Sequence, residues 1–511
     1  MTTPALWMAR RYKCWGGALW TAMPLWMTMP RAEQERGDGR VRTATMMGHQ
    51  LRQTEGRRVL RCLLVALLWV LVWQLASVAV GSELLLAGPL ATAVRLAELI
   101  VTPDFWSVAL GTLGRVAMGF SLALVSASLL AALVWRFRSL EDVIELPLGV
   151  LKSAPIVCLI VLLLMWLGSR SVVFVAVYIA VLPSLYFALV EGLRQLDPRL
   201  REMLCVHRVS APRRLLAQLW PSLLPFLQAA CRSACGMAWK SGVAAELVGL
   251  PAASVGERVY QSKLLLETAD LFSWTITVIV LSWACERVFL HVLAMSGPLA
   301  QRLAVWGLGG SSPSGETCGS AAVDVFALAV TLGQRDVLAG YELHLGLGQR
   351  LVLTDGSGAG KTTLLGVLSG RIVPSSGQAR VRPGRVSAVF QETRLVEGLS
   401  AEENVLLACG RSVTRERARA SLERLIPGVV GAGPVERLSG GQRRRVELVR
   451  ALLTPSDLVL LDEPFAALDE AAHVACCTFV VDELRGRTLV VASHDPMDIE
   501  RLAACGGRLA E

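Results

Sequence analysis

Charge is scarce in this 511-residue chain: 18% of its residues are Asp, Glu, Lys or Arg against 53% hydrophobic, with mean hydropathy +0.50. Soluble domains average about 25% charged residues, so a wholly water-exposed globular protein is excluded. The charge that exists leans positive, with a formal net charge of +9. No basic stripe interleaved with aromatics is present, which argues against nucleic acid as a partner. The arginines instead sit in short segments between apolar runs, the positive-inside pattern of membrane proteins. The 12 cysteines lack metal-type spacing, and the nearest pairs, Cys231/Cys235 and Cys476/Cys477, fall in an apolar and a helical segment, so no disulfide framework is implied.

Residues 1–50 also lack a convincing export signal. Arg10 and Arg11 precede an apolar patch over 16–30, but Pro24 and Pro30 interrupt it and no small-residue cleavage site follows. A disordered N-terminal extension over 1–56 is expected, with Met46 or Met47 as an alternative initiator.

Long apolar runs are what the next 240 or so residues have in abundance. Spans are predicted at 60–80, 112–134, 145–167, 171–191, 222–249 and 271–293, each reaching the roughly 20 residues that cross a bilayer core. An all-α six-helix transmembrane domain over 57–293 follows, with the lipid bilayer as its solvent. Arg57, Arg58, Arg61, Arg136, Arg138, Arg194, Arg199, Arg201, Arg208, Arg213 and Arg214 mark one side, while Glu83, Glu98, Asp104, Glu267 and Asp270 fall on the other. Both ends therefore face the cytoplasm. Lys240 and Glu246 lie at membrane depth six residues apart, about 240° around a helix, so they do not form a self-contained pair. A structural ion pair with another helix and a place on a translocation path both stay open. Gly307 to Gly310 and Ser311 to Gly315 make 294–322 read as a linker.

From 323 to 511 a series of six motifs follows in fixed order. The apolar run Leu351 to Leu353 leads into Gly356-Ser357-Gly358-Ala359-Gly360-Lys361-Thr362-Thr363 and then the helix-like Leu364 to Leu368. Strand, glycine loop and helix are the context a phosphate-binding loop needs, because backbone amides at a helix start attract anions. Gln391 follows Val389-Phe390; then come Leu438-Ser439-Gly440-Gly441-Gln442, Asp462-Glu463 after Leu458 to Leu461, Asp469, and His494 after Leu489 to Ala492.

This order resembles an ABC ATPase, an α/β P-loop fold, from end to end. The resemblance implies ATP and Mg2+ as cofactors. It implies that Gly356 to Thr363 cradle the phosphates, that Thr362, Gln391 and Asp462 hold the metal, and that Glu463, His494 and Gln391 are catalytic. Ser439 to Gln442 and Asp469 would clamp nucleotide bound to an opposing copy, which implies a homodimer. Two features depart from the family pattern. Asp355 stands where the loop should open with glycine, and the position for an adenine-stacking ring is Leu332, with Phe326 and Tyr341 the only rings nearby.

Residues 192–221 resemble the coupling loop of permeases from bacterial binding-protein-dependent importers of the nitrate, sulfonate and taurine type. Leu196-Asp197-Pro198-Arg199-Leu200, Glu202-Met203-Leu204, Arg208 and Trp220-Pro221 carry the likeness, together with Arg115 to Phe120 and Trp239-Lys240 to Ala245-Glu246. Two alanines and a glycine of the family pattern are missing, which leaves the docking contacts of the loop open. Permease and ATPase fused in one chain imply a multi-pass protein of the bacterial inner membrane that imports a small polar solute. A separate periplasmic or lipid-anchored solute-binding protein would deliver that solute. An exporter half-transporter is the alternative, although the cytoplasmic loops are short for one. A weakly hydrolysing regulatory membrane complex is a third reading, favoured by Asp355 and opposed by Glu463 and His494.

Overall fold

The computed structural model describes residues 60–61, 63–306, 320–333, 335–356, 358–382, 384–466, 468–503 and 505–507. The expected extension over 1–56, the segment 307–319 of the expected linker, and Ser357 lie outside the described residues. Two units divide the chain, residues 1–81 and 82–511. In the first, α1 (Leu63–Val80) is an 18-residue apolar helix, about 27 Å long and so close to a bilayer core in length.

The second unit begins with α2 (Pro89–Ile100), α3 (Pro103–Arg136), α4 (Glu141–Ser153), α5 (Ile156–Arg194), α6 (Pro198–Val206), α7 (Ala211–Arg214), α8 (Trp220–Gly249), α9 (Val255–Leu264) and α10 (Thr268–Trp306). Among the described residues, α1, α3, α5 and α10 are the four helices long and apolar enough to cross a membrane, where six spans were expected. The difference has local causes. The third expected span breaks at Ala154, which is extended (ψ 135°) because the ring of Pro155 disfavours helical backbone before it. α5 then absorbs the rest of that span and the fourth, but Gly168 at φ 73° divides it into two helices. α8 covers the fifth span while carrying Arg232, Lys240 and Glu246, which lower its apolarity.

α10 continues to Trp306, so residues 294–306 are helix and not linker. Gly297 is there for close packing: a Cβ at that position would lie 2.6 Å from Leu224 Cδ1. Small residues work the same way on α3, where Ala123, Ala127 and Ala131 form one buried stripe at four-residue spacing. Gly119 extends that stripe by one turn, and a Cβ on it would meet the Phe174 carbonyl at 2.5 Å. Glu246 is buried and accepts from Thr112 Oγ1 (3.0 Å), Arg115 Nε (2.9 Å) and the Gly256 amide (3.1 Å). It therefore joins α3, α8 and α9 as a structural staple, while Lys240 is exposed and takes no part in it.

The C-terminal part carries two sheets. β2 (Arg335–Leu345), β1 (Ala322–Leu332) and β4 (Ser376–Arg382) form an antiparallel three-stranded sheet in that order. The second has the order β5 (Val386–Val389), β6 (Leu458–Asp462), β7 (Thr488–Ala492), β3 (Arg350–Leu353), β8 (Cys505–Gly507), with parallel pairing. β6 and β7 are buried throughout, as near-continuous apolar runs in a parallel sheet should be. Around the sheet lie α11 (Lys361–Leu368), α12 (Ala401–Cys409), α13 (Arg415–Leu425), α14 (Gly440–Leu453), α15 (Glu470–Leu484) and α16 (Met497–Arg501).

Candidate nucleotide site and its contact with the helical region

β3 delivers the chain to the glycine loop, and α11 leaves it. Gly358 and Gly360 take φ 87° and 97°, which only glycine adopts freely, and a Cβ on Gly360 would lie 2.8 Å from Leu338 Cδ2. Gly360 caps α11 without any side-chain acceptor for the first amides of the helix. Those amides fit an anionic group such as a phosphate. Gly358, Ala359, Gly360, Lys361, Thr362 and Thr363 surround a cavity of about 260 Å3 that Val337, Gln391, Glu463 and His494 complete. Gly356 is exposed and outside that lining.

Lys361 is almost fully buried, its ammonium donating to the Asp355 carbonyl and to the Ser493 carbonyl at 3.4 Å, 3.5 Å from His494 Nδ1. Thr362 Oγ1 donates to Asp462 Oδ1 at 3.3 Å. Burial pushes the Asp462 carboxyl up, and the neighbouring Glu463 adds to this, while Thr362 and Arg444 pull the other way. A hydroxyl beside a carboxylate destabilised by burial is a fitting oxygen pair for a hard divalent cation. Among the described residues Gln391 makes no hydrogen bond to either; it lies exposed on the cavity rim.

Glu463 sits at φ 48°, a strained conformation for a residue with a side chain. Its amide donates to the Ala492 carbonyl (2.9 Å), its carbonyl accepts from Arg444 Nη2 (2.7 Å), and its carboxylate meets His494 Nε2 at 2.6 Å. Arg444 had no place in the sequence reading. Buried in α14, it donates to the carbonyls of Phe390, Asp462 and Glu463, so one guanidinium ties the Gln391 loop to the end of β6. Nothing in the run Arg443-Arg444-Arg445 distinguishes it from its neighbours before the fold is known.

Ser439, Gly440, Gly441, Gln442 and Asp469 do not line this cavity. Ser439 caps α14 in a reciprocal box with Gln442, its hydroxyl accepting the Gln442 amide (3.3 Å) and the Gln442 side chain accepting the Ser439 amide (3.0 Å). Asp469 caps α15 by accepting the Ala472 amide at 2.7 Å. Ser439, Gly440 and Asp469 are exposed. Neither expected ring lines the cavity: Tyr341 is buried and Phe326 is 54% exposed. Burial raises the Tyr341 phenol, and the carboxylate of Asp355 adds to that, so Asp355 acts on the ring beside the loop.

The loop between α5 and α8 packs into the core beside this site. Met203, Leu204 and Val209 are buried in the same cluster as Leu365, Phe390, Val396 and Leu399. Glu202 accepts from Arg394 Nη1 (2.9 Å) and Arg371 Nη1 (3.3 Å), and both guanidinium groups also stack over Phe390, at 4.1 and 5.0 Å from its ring centroid. Partial burial would raise the Glu202 carboxyl, but hydrogen bonds from Arg394 and Arg371 outweigh it and hold it below the ordinary 4.5. Arg199 pairs with Glu392 (2.5 Å), Arg208 donates to the Gly384 carbonyl (2.7 Å), and Arg213 bridges the carbonyls of Ala304 and Leu406. The missing alanines and glycine thus leave the loop able to dock. Glu202 engages the residue next to Gln391 through two arginines about 170 and 190 positions away.

Residues 338–466 match the ABC transporter family. The aliphatic sulfonates import ATP-binding protein SsuB 1 of Nocardia farcinica is 39% identical over 36% of this chain and 75% of its own length. Its namesake from Rhizobium johnstonii is 34% identical over 38% of this chain and 75% of its own. SsuB 3 of Rhodococcus jostii is 38% identical over 36% and 69%. A solved dimeric ATP-binding cassette in a post-hydrolysis state, bound to ADP and phosphate, aligns with 35% of this chain and 90% of its own at 24% identity, with a TM-score of 0.33. The chain belongs, through its C-terminal part, to the ABC transporter ATP-binding family. It binds ATP and couples ATP hydrolysis to transport.

Proposed function

We propose that the chain is one half of a homodimeric bacterial importer, with a six-span permease over 57–306 and an ATPase over 320–511 in one polypeptide. The observation that carries this reading is the burial of Met203 and Leu204 in the ATPase core with Glu202 clamped on Arg371 and Arg394. A loop between apolar helices has no reason to be built into a nucleotide-binding core unless motion is passed between them. The solute is a small polar anion, and the relatives named for aliphatic sulfonate import make an alkanesulfonate the first choice. A separate solute-binding protein delivers it from outside, and both ends of the chain face the cytoplasm.

In this reading Gly356 to Thr363 hold the ATP phosphates, with Lys361 supplying positive charge. Thr362 and Asp462 hold Mg2+, which supplies charge neutralisation on the phosphates when bound. Glu463 orients and polarises the attacking water, while His494, fixed by its contact with Glu463, reaches the terminal phosphate. Gln391 senses that phosphate and passes the change through Phe390 to Glu202. Ser439 to Gln442 and Asp469, all outside their own chain's cavity and with Ser439, Gly440 and Asp469 exposed, face the nucleotide of the second copy. Proteoliposomes of the full chain, loaded with ATP inside and given a sulfonate-binding protein and radiolabelled ethanesulfonate outside, test the proposal. Uptake dependent on all three components is expected. Outward movement, or ATP turnover indifferent to the binding protein, would overturn it.

A further inference from the structure

The arginines of the 194–214 stretch divide into two groups. Arg194 pairs with Glu141 and Glu145, Arg199 with Glu392, Arg208 with a carbonyl, and Arg213 with two carbonyls. Arg201 and Arg214 have no oxygen acceptor among the described residues. Arg201 lies over the Trp135 ring at 5.7 Å, and Arg214 Nη1 is 2.8 Å from Cys205 Sγ. These two line the same open groove of about 410 Å3, between the C-terminal end of α3 and the α6–α7 segment. Its walls are otherwise largely apolar, with Leu193, Leu196 and Leu215 beside Trp135. The carboxylate on its lining, Asp197, is occupied in capping α6, where it accepts the Arg199 amide at 2.8 Å.

We propose that this groove binds the phosphate headgroup of an anionic phospholipid, with Arg201 and Arg214 as its anion ligands. The inference rests on the membrane reading given above. Two guanidinium forks without oxygen partners are matched to a phosphate, which each can engage through paired N–H donors. The groove opens at the end of an apolar 34-residue helix, and Trp135 stands one residue before that end, as an interfacial tryptophan would if the helix spans the bilayer. A soluble anion would gain nothing from the leucine wall, whereas a headgroup brings its own acyl chains to it. Bound there, the lipid would brace the segment that carries Glu202 against α3.

The test uses the full chain in nanodiscs of phosphatidylcholine, alone or mixed with phosphatidylglycerol, with the lipid retained after detergent exchange quantified by mass spectrometry. The wild type should retain phosphatidylglycerol over phosphatidylcholine. R201Q or R214Q should lower that retention about fivefold each and the pair about twentyfold, from the worth of one basic residue near an anionic surface. R201K/R214K should keep most of it, and basal ATP turnover in phosphatidylcholine should be the same in all four. No lipid preference in the wild type, or equal retention in the Gln variants, overturns the site while leaving the transporter reading intact. Failure of the protein to insert into nanodiscs at all removes both. Displacement of the lipid by millimolar inorganic phosphate would make the ligand a soluble anion. Loss of dimers in R201Q/R214Q without any lipid effect would make the groove a contact between copies. Either result overturns the proposal.

Discussion

His207 offers a prediction whose size follows from one buried ring. It ends α6, is 4% exposed, and neither ring nitrogen has a hydrogen-bond partner. Burial lowers its pKa from 6.5 to about 3, and the positive charge of Arg450 pushes the same way; the Ala388 backbone pulls weakly against them without completing a hydrogen bond. The docked loop therefore binds fewer protons than a released one between those two values. Docking should be at full strength above pH 6.5 and be lost progressively as pH falls toward 3. Between pH 7.5 and 5.5 the loss depends only on the released ring at 6.5, and amounts to about 1.4 kcal/mol, or tenfold in the docking equilibrium. Glu202 does not contribute over this interval, since its carboxyl lies below 4.5 and stays ionised. Hydrogen exchange of the α6 amides, corrected for the intrinsic pH dependence of exchange, should show protection falling about tenfold. His207→Leu should abolish that dependence and dock at least as tightly at pH 7.5, because it removes two unpartnered polar atoms. Protection that is flat with pH in the wild type, or equally steep in His207→Leu, refutes the reasoning.

Glu463→Gln should lower ATP turnover by about a hundredfold or more while leaving ATP-driven dimerisation, since shape is kept and the basic charge is lost; phosphate release at near wild-type rate would remove Glu463 from its role. Glu202→Ala should leave basal turnover in place and reduce its stimulation by binding protein about fivefold, the value of about 1 kcal/mol for two partly exposed ion pairs. Full stimulation in that variant would show that force passes elsewhere. Asp355→Gly should tighten ATP binding about fivefold by removing a carboxylate near the triphosphate, at about 1 kcal/mol for an effective dielectric of 20 to 40; nucleotide titration giving unchanged or weaker binding makes the aspartate structural.

The glycine loop and the strand that ends at Asp462 were legible because each is a local device, in which a few adjacent residues determine the backbone, whereas Ser439 and Gln442 were read only as nucleotide contacts and not as the reciprocal helix cap they form. The helical region was legible in its apolarity and less so in its breaks. Pro155 stood inside a run read as one span, although a proline already disfavours helix at the residue before it. Gly297 and Pro298 read as linker because a sequence does not tell a glycine that packs against Leu224 from one that frees the chain. The clamp on Glu202 lay beyond reach for a different reason. Arg371 and Arg394 are two of many arginines, and only the docking of a distant loop selects them. His207 gave no signal at all, because its burial is created by the interface and not by its neighbours in the chain.

The ion pairs between the α6 loop and the nucleotide-binding core are individually weak: Glu202 is 44% exposed, and Arg199 and Glu392 more than half. Between separate subunits such contacts would need a high protein concentration to persist. Here α10 runs to Trp306, where Arg415 stacks on its ring at 5.0 Å and Arg213 holds the Ala304 carbonyl, so both halves of the contact belong to one tethered polypeptide. Tethering gives an effective concentration of order millimolar with no added affinity. The interface can therefore let go and re-engage within each turnover without the risk of losing its partner, and its weakness becomes compatible with repeated motion.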